Sequence, residues 1–473
     1  MKNLLLFLCI PLMILSCQSG DSRSAPSGCD FLSGLPESEN ITCGYVTVPE
    51  NHAQPEGRKL RIAYAILPAK DTAASAYPVI YFMGGPGGRV LDNLEGWLDH
   101  PLRQKLDIIL FDQRGLGHSS PLPDMTDALS AIQAADLDKA EERQQTRLVV
   151  DSVRRRAAGQ GIQLQYYNTD QNAHDVAVLM EELGYEKYNL FGGSYGTRLA
   201  REVMEQSPEY VRAAVLAAPA VFESDFLTSR MENYRDALQL VFEHCRETPE
   251  CREKYPDLQR EYLEAVHSLN DDPLAVRVAG KEFVVNPQDA LYMLRYQLYT
   301  GDSRERVPVF IRALRERDIE TISSTQAFLE EVQGLVNNAM FLSVVRYEEY
   351  DTTLTAAVLD SLYAVEPLFP AHLAHFDPLY LAAREWHNGH ATYEQLHWDD
   401  SPLPALISVN KYDPVTPAAN GYAFKETLPN ATLLVLDEGG HSGGGACQLQ
   451  LLIDFFTDPQ ATLDTSCLNL VEE

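Results

Sequence analysis

The most informative pattern in the chain is Asn189-Leu-Phe-Gly-Gly-Ser-Tyr-Gly-Thr-Arg198. It starts in an apolar run, passes through a Gly-x-Ser-x-Gly centred on Ser194, and opens into a helix-compatible run over residues 197–205. This order predicts a strand, a sharp turn and a helix, with the serine in a strained backbone conformation at the tip of the strand. Glycines flank the serine because side chains would clash where strand and helix approach each other. The stretch therefore predicts an exposed, nucleophilic hydroxyl.

Length and charge narrow the class of protein. The chain has 473 residues, 45% of them hydrophobic and 22% charged, which suits one large domain with an insertion or two ordinary domains. The net charge of −30 argues against a nucleic-acid partner, because a phosphate backbone would be repelled. We interpret the charge as favouring the solubility of an exported protein.

The N-terminus has the features of an export signal. Residues 1–16 combine a positive Lys2 with an apolar run that is too short for a transmembrane helix, so they predict a signal peptide. Ser16 before Cys17 matches a bacterial lipobox, which predicts cleavage before Cys17, lipidation of its thiol and anchoring to the cell envelope. An ordinary signal peptide with an incidental cysteine is the alternative. Residues 17–42, rich in Ser, Gly and Pro at their start, predict a tether.

Six further cysteines predict disulfides, because their number is even and the chain has an export signal. They are Cys29, Cys43, Cys245, Cys251, Cys447 and Cys467. Six cysteines allow many pairings, and sequence alone does not choose among them. Proximity along the chain favours pairing them in that order, two by two. A zinc site is the competing interpretation, but no Cys-x-x-Cys spacing occurs.

Short apolar runs that end in Gly-rich turns are typical of parallel strands buried on both faces. The predicted strands cover residues 45–48, 60–65, 78–83, 107–112, 188–191, 213–217, 403–409 and 432–436. Thr169 is the predicted N-cap of a helix that runs to residue 183. A closing helix is expected at residues 448–456. The alternation predicts an α/β fold with a mostly parallel central sheet and helices on both faces.

The character of the chain changes over residues 222–400, where strand patterns become scarce and Glu, Arg, Leu and Tyr recur at helical spacing. This pattern predicts a helical cap inserted into the α/β core. The core then consists of residues 43–221 and 401–473.

A serine hydroxyl becomes nucleophilic when a histidine accepts its proton and a carboxylate orients that histidine. His441 lies in a Gly-rich loop after one predicted strand, and Asp413 follows another. Both therefore belong to the carboxyl edge of the sheet, where open α/β sheets place their sites. The order Ser194, Asp413, His441 is that of α/β-hydrolases. Asp437 is the competing carboxylate, but it lies very near His441 in sequence.

An oxyanion formed at the serine needs backbone N–H donors. One predicted donor is Tyr195, directly after the serine, and the other belongs to the Gly-rich loop after the third strand. Gly85 is favoured in that loop, with Gly84 next. A phosphate-binding loop is the alternative, but no Lys-Ser/Thr follows the glycines.

Five motifs complete the pattern. They are Gly84-Gly-Pro-Gly-Gly88, Asp112-Gln-Arg-Gly115, Gly192-Gly-Ser-Tyr-Gly-Thr197, Asp413-Pro-Val-Thr-Pro417, and Gly440-His441 with Cys447 shortly after. Together they resemble the proline iminopeptidase and tripeptidyl aminopeptidase family of serine α/β-hydrolases, over nearly the whole mature chain. The resemblance implies removal of residues from free peptide N-termini through an acyl-enzyme, a helical cap, and no metal or cofactor. Met83 departs from the pattern, since many members have His there.

The resemblance also places amine-binding acids in the cap. Glu348 and Glu349 occupy the corresponding segment, and Glu348 is slightly favoured by its position in the motif. Two solvated glutamates on a helix face are the alternative. His372-x-x-His375 and His387-x-x-His390 do not form a zinc-protease motif, so no metal is expected. The competing functions are a carboxylesterase with the same triad and a catalytically inactive binding lipoprotein.

Overall fold

The computed structural model describes residues 29, 31, 35–71, 77–222, 226–373, 375–443 and 445–471. The predicted signal peptide (residues 1–16), the predicted lipidation site Cys17 and the first part of the predicted tether lie outside these ranges. In the described part of the predicted tether, Cys29 is joined to Cys43, and the first strand begins at Thr42. Within the described ranges, no helix has the length and apolar character needed to cross a bilayer.

Within the residues that the structure describes, ten strands form two sheets. They are β1 (Thr42–Pro49), β2 (Lys59–Leu67), β3 (Val79–Phe82), β4 (Ile108–Phe111), β5 (Tyr188–Gly193), β6 (Val211–Ala217), β7 (Leu274–Val278), β8 (Lys281–Val285), β9 (Ala405–Asn410) and β10 (Ala431–Leu436). The main sheet has the order β1-β2-β4-β3-β5-β6-β9-β10. β1, β2 and β4 pair antiparallel, and all the other pairs in this sheet are parallel. The predicted mostly parallel sheet is therefore confirmed.

The helices of the core flank this sheet, and those of the cap follow β6. Before β6 come α1 (Thr126–Gln133), α2 (Lys139–Gly159), α3 (Thr169–Glu182) and α4 (Tyr195–Gln206). The cap contains α5 (Phe226–Glu247), α6 (Pro249–Lys254), α7 (Leu258–Asp271), α8 (Pro287–Gln297), α9 (Gly301–Glu305), α10 (Val307–Glu316), α11 (Ile319–Gly334), α12 (Asn338–Glu348), α13 (Ala356–Val365) and α14 (Phe376–Ala382). The C-terminal part adds α15 (Ala418–Glu426) and α16 (Ala446–Thr457).

Successive side chains of the central strands enter two different apolar cores, because a strand points alternate residues to opposite faces. In β6, Val215 joins the core that contains Phe456 of α16, whereas Leu216 joins the core that contains Val203 of α4. Strands buried on both faces in this way need continuous apolar sequence, which is the signal that predicted them.

Two local features differ from the predictions. The N-cap of α3 is Asn168, whose side chain accepts from the Gln171 N–H at 3.0 Å, and Thr169 is the first helical residue. The cap also contains the β7–β8 hairpin, which was not predicted. Its turn residues Ala279 and Gly280 both have positive φ, at 49° and 84°. A two-residue hairpin with a type I′ turn requires positive φ at both of these positions. The alternating apolar pattern on either side of this turn was a usable signal.

The six described cysteines form the pairs favoured by sequence proximity: Cys29–Cys43, Cys245–Cys251 and Cys447–Cys467. The first ties the chain before the sheet to β1, and the second links α5 to α6 within the cap. The third fastens α16 to the C-terminal segment. Stable disulfides are a mark of proteins that fold in oxidising compartments.

Candidate active site

The turn between β5 and α4 holds Ser194 in a conformation that residues with side chains rarely adopt. Its φ is 54° and its ψ is −126°. The turn is tight because α4 passes directly over β3: a Cβ at Gly196 would lie 2.0 Å from the carbonyl oxygen of Phe82. Strand, turn and helix thus present the serine hydroxyl at the carboxyl edge of the sheet.

His441 lies within hydrogen-bonding distance of Ser194. The distance between His441 Nε2 and Ser194 Oγ is 2.9 Å, and Nδ1 lies 3.0 Å from each carboxylate oxygen of Asp413. The side chain of His441 is 10% exposed, and that of Asp413 is fully buried. In this arrangement Nδ1–H donates to the carboxylate, which leaves Nε2 free to accept the serine proton.

The loop after β9 orients Asp413. Its Oδ1 accepts the N–H groups of Val415 at 2.7 Å and Thr416 at 2.9 Å, and its Oδ2 accepts the Thr416 hydroxyl at 2.7 Å. These donors fix the orientation of the carboxylate beside the imidazole. The role of Thr416 was missed in the sequence, although it belongs to the quoted Asp-Pro-Val-Thr-Pro motif.

The competing carboxylate points elsewhere. Asp437 pairs with Lys411 at 2.6 Å, and its side chain is 48% exposed. The His441 loop is instead steadied by Asn410, whose side-chain amide donates to the carbonyl of Gly440 at 2.7 Å. The structure therefore brings Asp413, and not Asp437, to the histidine.

The Gly-rich loop after β3 passes against the serine. A Cβ at Gly84 would lie 2.9 Å from the Cβ of Ser194, so the close approach depends on glycine. Gly84 and Gly85 both line the cavity described below. Tyr195 is the first residue of α4, and its N–H consequently has no acceptor within the helix. The predicted oxyanion donors thus lie beside Ser194.

A cavity of about 480 Å³ opens over Ser194 and His441, between sheet and cap. Its cap wall is rich in aromatic side chains: Tyr292, Tyr296, Tyr299, Phe341 and Phe376. Among the described residues that line the cavity, the basic side chains are Arg230, His375 and His441, and none is an Asp or a Glu. The cavity can hold a largely apolar substrate against the serine.

Two family models match the chain. The model described as "alpha/beta hydrolase fold" matches residues 77–293, and the one described as "TAP-like protein" matches residues 384–467. The first includes the Ser194 turn, and the second includes Asp413 and His441. The chain belongs to the α/β-hydrolases. The resemblance noted in the sequence is thereby confirmed at the level of the family.

Relatives of this hydrolase include enzymes with assigned names. Tripeptidyl aminopeptidase from Streptomyces lividans is 32% identical over 189 residues, which are 37% of this chain and 35% of that protein. The matched segment thus spans about a third of that relative's length. Putative hydrolase YuaR from Escherichia coli is 22% identical and aligns over 93% of this chain and 90% of its own. A probable proline iminopeptidase from Leptolyngbya boryana is 22% identical over 80% of this chain and 85% of its own.

The two cap glutamates of the hydrolase are buried rather than solvated. The side chains of Glu348 and Glu349 are 3% and 2% exposed, and both pair with Arg198 of α4, at 3.1 and 2.7 Å. Glu349 lines a small cavity of about 20 Å³ together with Ser194. Glu348 lines neither cavity, and its other oxygen accepts the Thr169 N–H at 2.8 Å. Of the two predicted amine-binding acids, Glu349 is therefore the one that the structure places beside Ser194.

The cap is in direct contact with the loop that carries His441. The Ser442 N–H donates to the carbonyl of Tyr299 at 2.6 Å, and the Tyr299 ring meets the His441 ring edge-on with centroids 5.1 Å apart. Sequence reasoning missed Tyr299, since no local pattern links a segment of the cap to a loop far along the chain.

The histidines of the two His-x-x-His pairs have different surroundings, and His390 is exposed. His372 pairs with Glu142 at 2.7 Å, and His387 contacts the carbonyl of Ser343 at 3.1 Å. His375 lines the large cavity, and burial lowers its pKa to about 4, so its imidazole is neutral near pH 7. Across the ranges the structure describes, no group of three or more His, Cys, Asp or Glu side chains forms a metal site.

Proposed function

We propose that this hydrolase is an exported serine peptidase that releases residues from free peptide N-termini through an acyl-enzyme intermediate. The observation that carries the proposal is the continuous chain from Ser194 Oγ through His441 to Asp413, with contacts of 2.9 and 3.0 Å, at the floor of a cavity that can hold a substrate. The tripeptidyl aminopeptidase and proline iminopeptidase relatives support peptides as the substrate class.

In the proposed reaction, Ser194 Oγ attacks the scissile carbonyl carbon while its proton moves to His441 Nε2. The N–H groups of Tyr195 and Gly85 stabilise the oxyanion that forms. Asp413 stabilises the imidazolium. When the C–N bond breaks, the same proton passes to the leaving amine, and the N-terminal fragment remains as an ester on Ser194. A water molecule, deprotonated by His441, then releases the acid and restores the serine.

Recognition of the free N-terminus requires an acid near the serine, because the end of a peptide is marked by its ammonium group. Glu349 is our candidate. It shares the small cavity with Ser194, Tyr195 and Gly85, which supports a position close to the reacting carbonyl. Its pairing with Arg198 sets the orientation of the carboxylate.

Acetylation of the substrate N-terminus is expected to abolish cleavage, because it removes the ammonium charge. Glu349→Gln is expected to lower kcat/KM for free aminoacyl anilides by about ten- to a hundredfold, the loss of one charge-assisted contact. The measurement compares free and acetylated anilides in wild type and variant. Glu385→Gln is the matched control, since that cap glutamate is 67% exposed and lines neither cavity. Equal cleavage of free and acetylated substrates would contradict the aminopeptidase proposal.

A carboxylesterase is the second candidate. The aromatic lining of the large cavity, without an Asp or Glu among its described residues, favours an uncharged acyl group. The same experiment separates the two functions when an ester of matched acyl group is added. Faster turnover of the uncharged ester, with no requirement for a free amine, would establish the esterase.

Export is supported by the three disulfides, and we propose anchoring through a lipid on Cys17. Cys17→Ser is expected to move the protein from the membrane fraction to the soluble fraction, because it removes the acylated thiol. The measurement is fractionation of cells that express each form. Cys9→Ser is the control, since Cys9 lies within the predicted signal peptide. Soluble fractionation of the wild type would rule out the anchor.

A further inference from the structure

The carboxylate of Glu348 joins the cap to two helices of the core. It stands at the end of α12, and one of its oxygens accepts the N–H of Thr169, the first residue of α3, at 2.8 Å. Its other oxygen accepts from Arg198 of α4 at 3.1 Å. Each carboxylate oxygen of Glu348 thus has a partner within the protein, one on each core helix.

Thr169 and Arg198, the two partners of Glu348, both lie next to the side chain of Tyr195. Tyr195 is the residue that follows the proposed nucleophile. The Thr169 hydroxyl lies 2.9 Å from the Tyr195 hydroxyl. The guanidinium carbon of Arg198 lies 5.9 Å from the centre of the Tyr195 ring. The Tyr195 side chain is almost fully buried, so the position of its ring constrains the start of α4. That start carries the N–H proposed to stabilise the oxyanion.

Arg198 also fastens the chain where it leaves the sheet for the cap. Its guanidinium donates to the carbonyl of Val221 as well as to Glu349. A shift of Arg198 would therefore displace both α4 and the segment that leads into the cap.

The charge of this cluster is unbalanced. One buried guanidinium faces two buried carboxylates, and burial raises the pKa of Glu348 to about 7, against the opposing effects of Arg198 and Thr169. The titratable groups around Glu348 are Arg198 and Tyr195 from α4 and Glu349 and Tyr347 from its own segment, while α3 contributes a backbone N–H. Glutamine is a close mimic of the neutral form and keeps an acceptor for the Thr169 N–H.

We propose that Glu348 is a positioning residue which, in its ionised form and through Arg198 and Thr169, holds Tyr195 so that its backbone N–H points at the developing oxyanion. The proposal rests on the proposed serine hydrolase chemistry. It requires an effect on the chemical step rather than on substrate binding, because the oxyanion exists only after attack.

The test compares kcat and KM of wild type and Glu348→Gln across pH. Above about pH 8, where wild-type Glu348 is ionised, kcat of the variant is expected to be roughly tenfold lower with KM unchanged. Below about pH 6 the ratio of the two kcat values is expected to approach one, because both side chains are then neutral.

A double-mutant cycle tests the route to Tyr195. Tyr195→Phe removes the hydroxyl that meets Thr169 but keeps the backbone N–H. If Glu348 acts through this route, the loss of kcat in the double variant is smaller than the product of the two single losses. Multiplicative losses would show that Glu348 does not act through Tyr195.

Glu261→Gln is the matched control. Glu261 is a buried cap glutamate that pairs with Arg312 and Arg315, at 3.2 and 3.1 Å, and lines neither cavity. Its variant is expected to keep wild-type kcat at every pH. A kcat ratio for Glu348→Gln that does not change with pH, or an equal loss in Glu261→Gln, would overturn the proposal. A simple ester as substrate keeps the test valid even if peptides are not cleaved, so the two failures are distinguishable.

Discussion

Ser194→Ala is expected to lower turnover by roughly four to six orders of magnitude and to abolish labelling by a fluorophosphonate probe. The reason is geometric: Ser194 Oγ lies 2.9 Å from His441 Nε2, and alanine offers that nitrogen no proton to accept. Backbone donors and the cavity would remain in the variant, so a small residual rate above the uncatalysed reaction is expected. The measurements are steady-state kinetics and probe labelling of the purified protein.

The sharpest control is Ser442→Ala, because Ser442 follows His441 directly and lines the same cavity. Its hydroxyl donates to the carbonyl of Tyr299 at 3.2 Å rather than to the imidazole. This variant should still be labelled by the probe. Labelling that persists in Ser194→Ala and disappears in Ser442→Ala would reassign the nucleophile.

Asp413→Asn is expected to lower kcat by about four orders of magnitude, while the fold is retained. The side chains of aspartate and asparagine have nearly the same shape. An asparagine amide, however, cannot stabilise the imidazolium and favours the wrong tautomer of His441. The expected loss rests on the 3.0 Å contacts from His441 Nδ1 to both carboxylate oxygens. The measurement is kcat with an activated ester, on which acylation is easiest to follow.

Asp437→Asn is the matched control, since it applies the same change to the carboxylate that competes in the sequence. Asp437 pairs with Lys411 on the surface and makes no hydrogen bond to His441 within the described structure. Its variant should keep kcat within about twofold of the wild type, as surface substitutions usually do. Equal losses in the two variants would remove Asp413 from its proposed role.

The features that sequence predicted well depend on local chemistry. Apolar runs ended by glycines are required wherever a strand is buried on both faces, so the main sheet could be predicted. The turn at Ser194 requires Gly196 because of a clash with the carbonyl of Phe82, and that requirement is visible as a motif. Once the strands are placed, the ends of β9 and β10 bring Asp413 and His441 to the edge where Ser194 stands. Neighbouring cysteines could likewise be paired by proximity.

The features that sequence missed depend on which distant segments meet. A glutamate pattern on a cap helix is the same whether the helix faces water or a buried arginine, so the burial of Glu348 against Arg198 could not be predicted. The contact between Tyr299 and the His441 loop arises in the same way, from the docking of the cap. Local chemistry thus determined the strands, the serine turn and the order of the three site residues. Only the packing of the cap on the core determined which acid lines a cavity and which one is buried against core helices. That packing combines many weak contacts between segments that are remote in sequence.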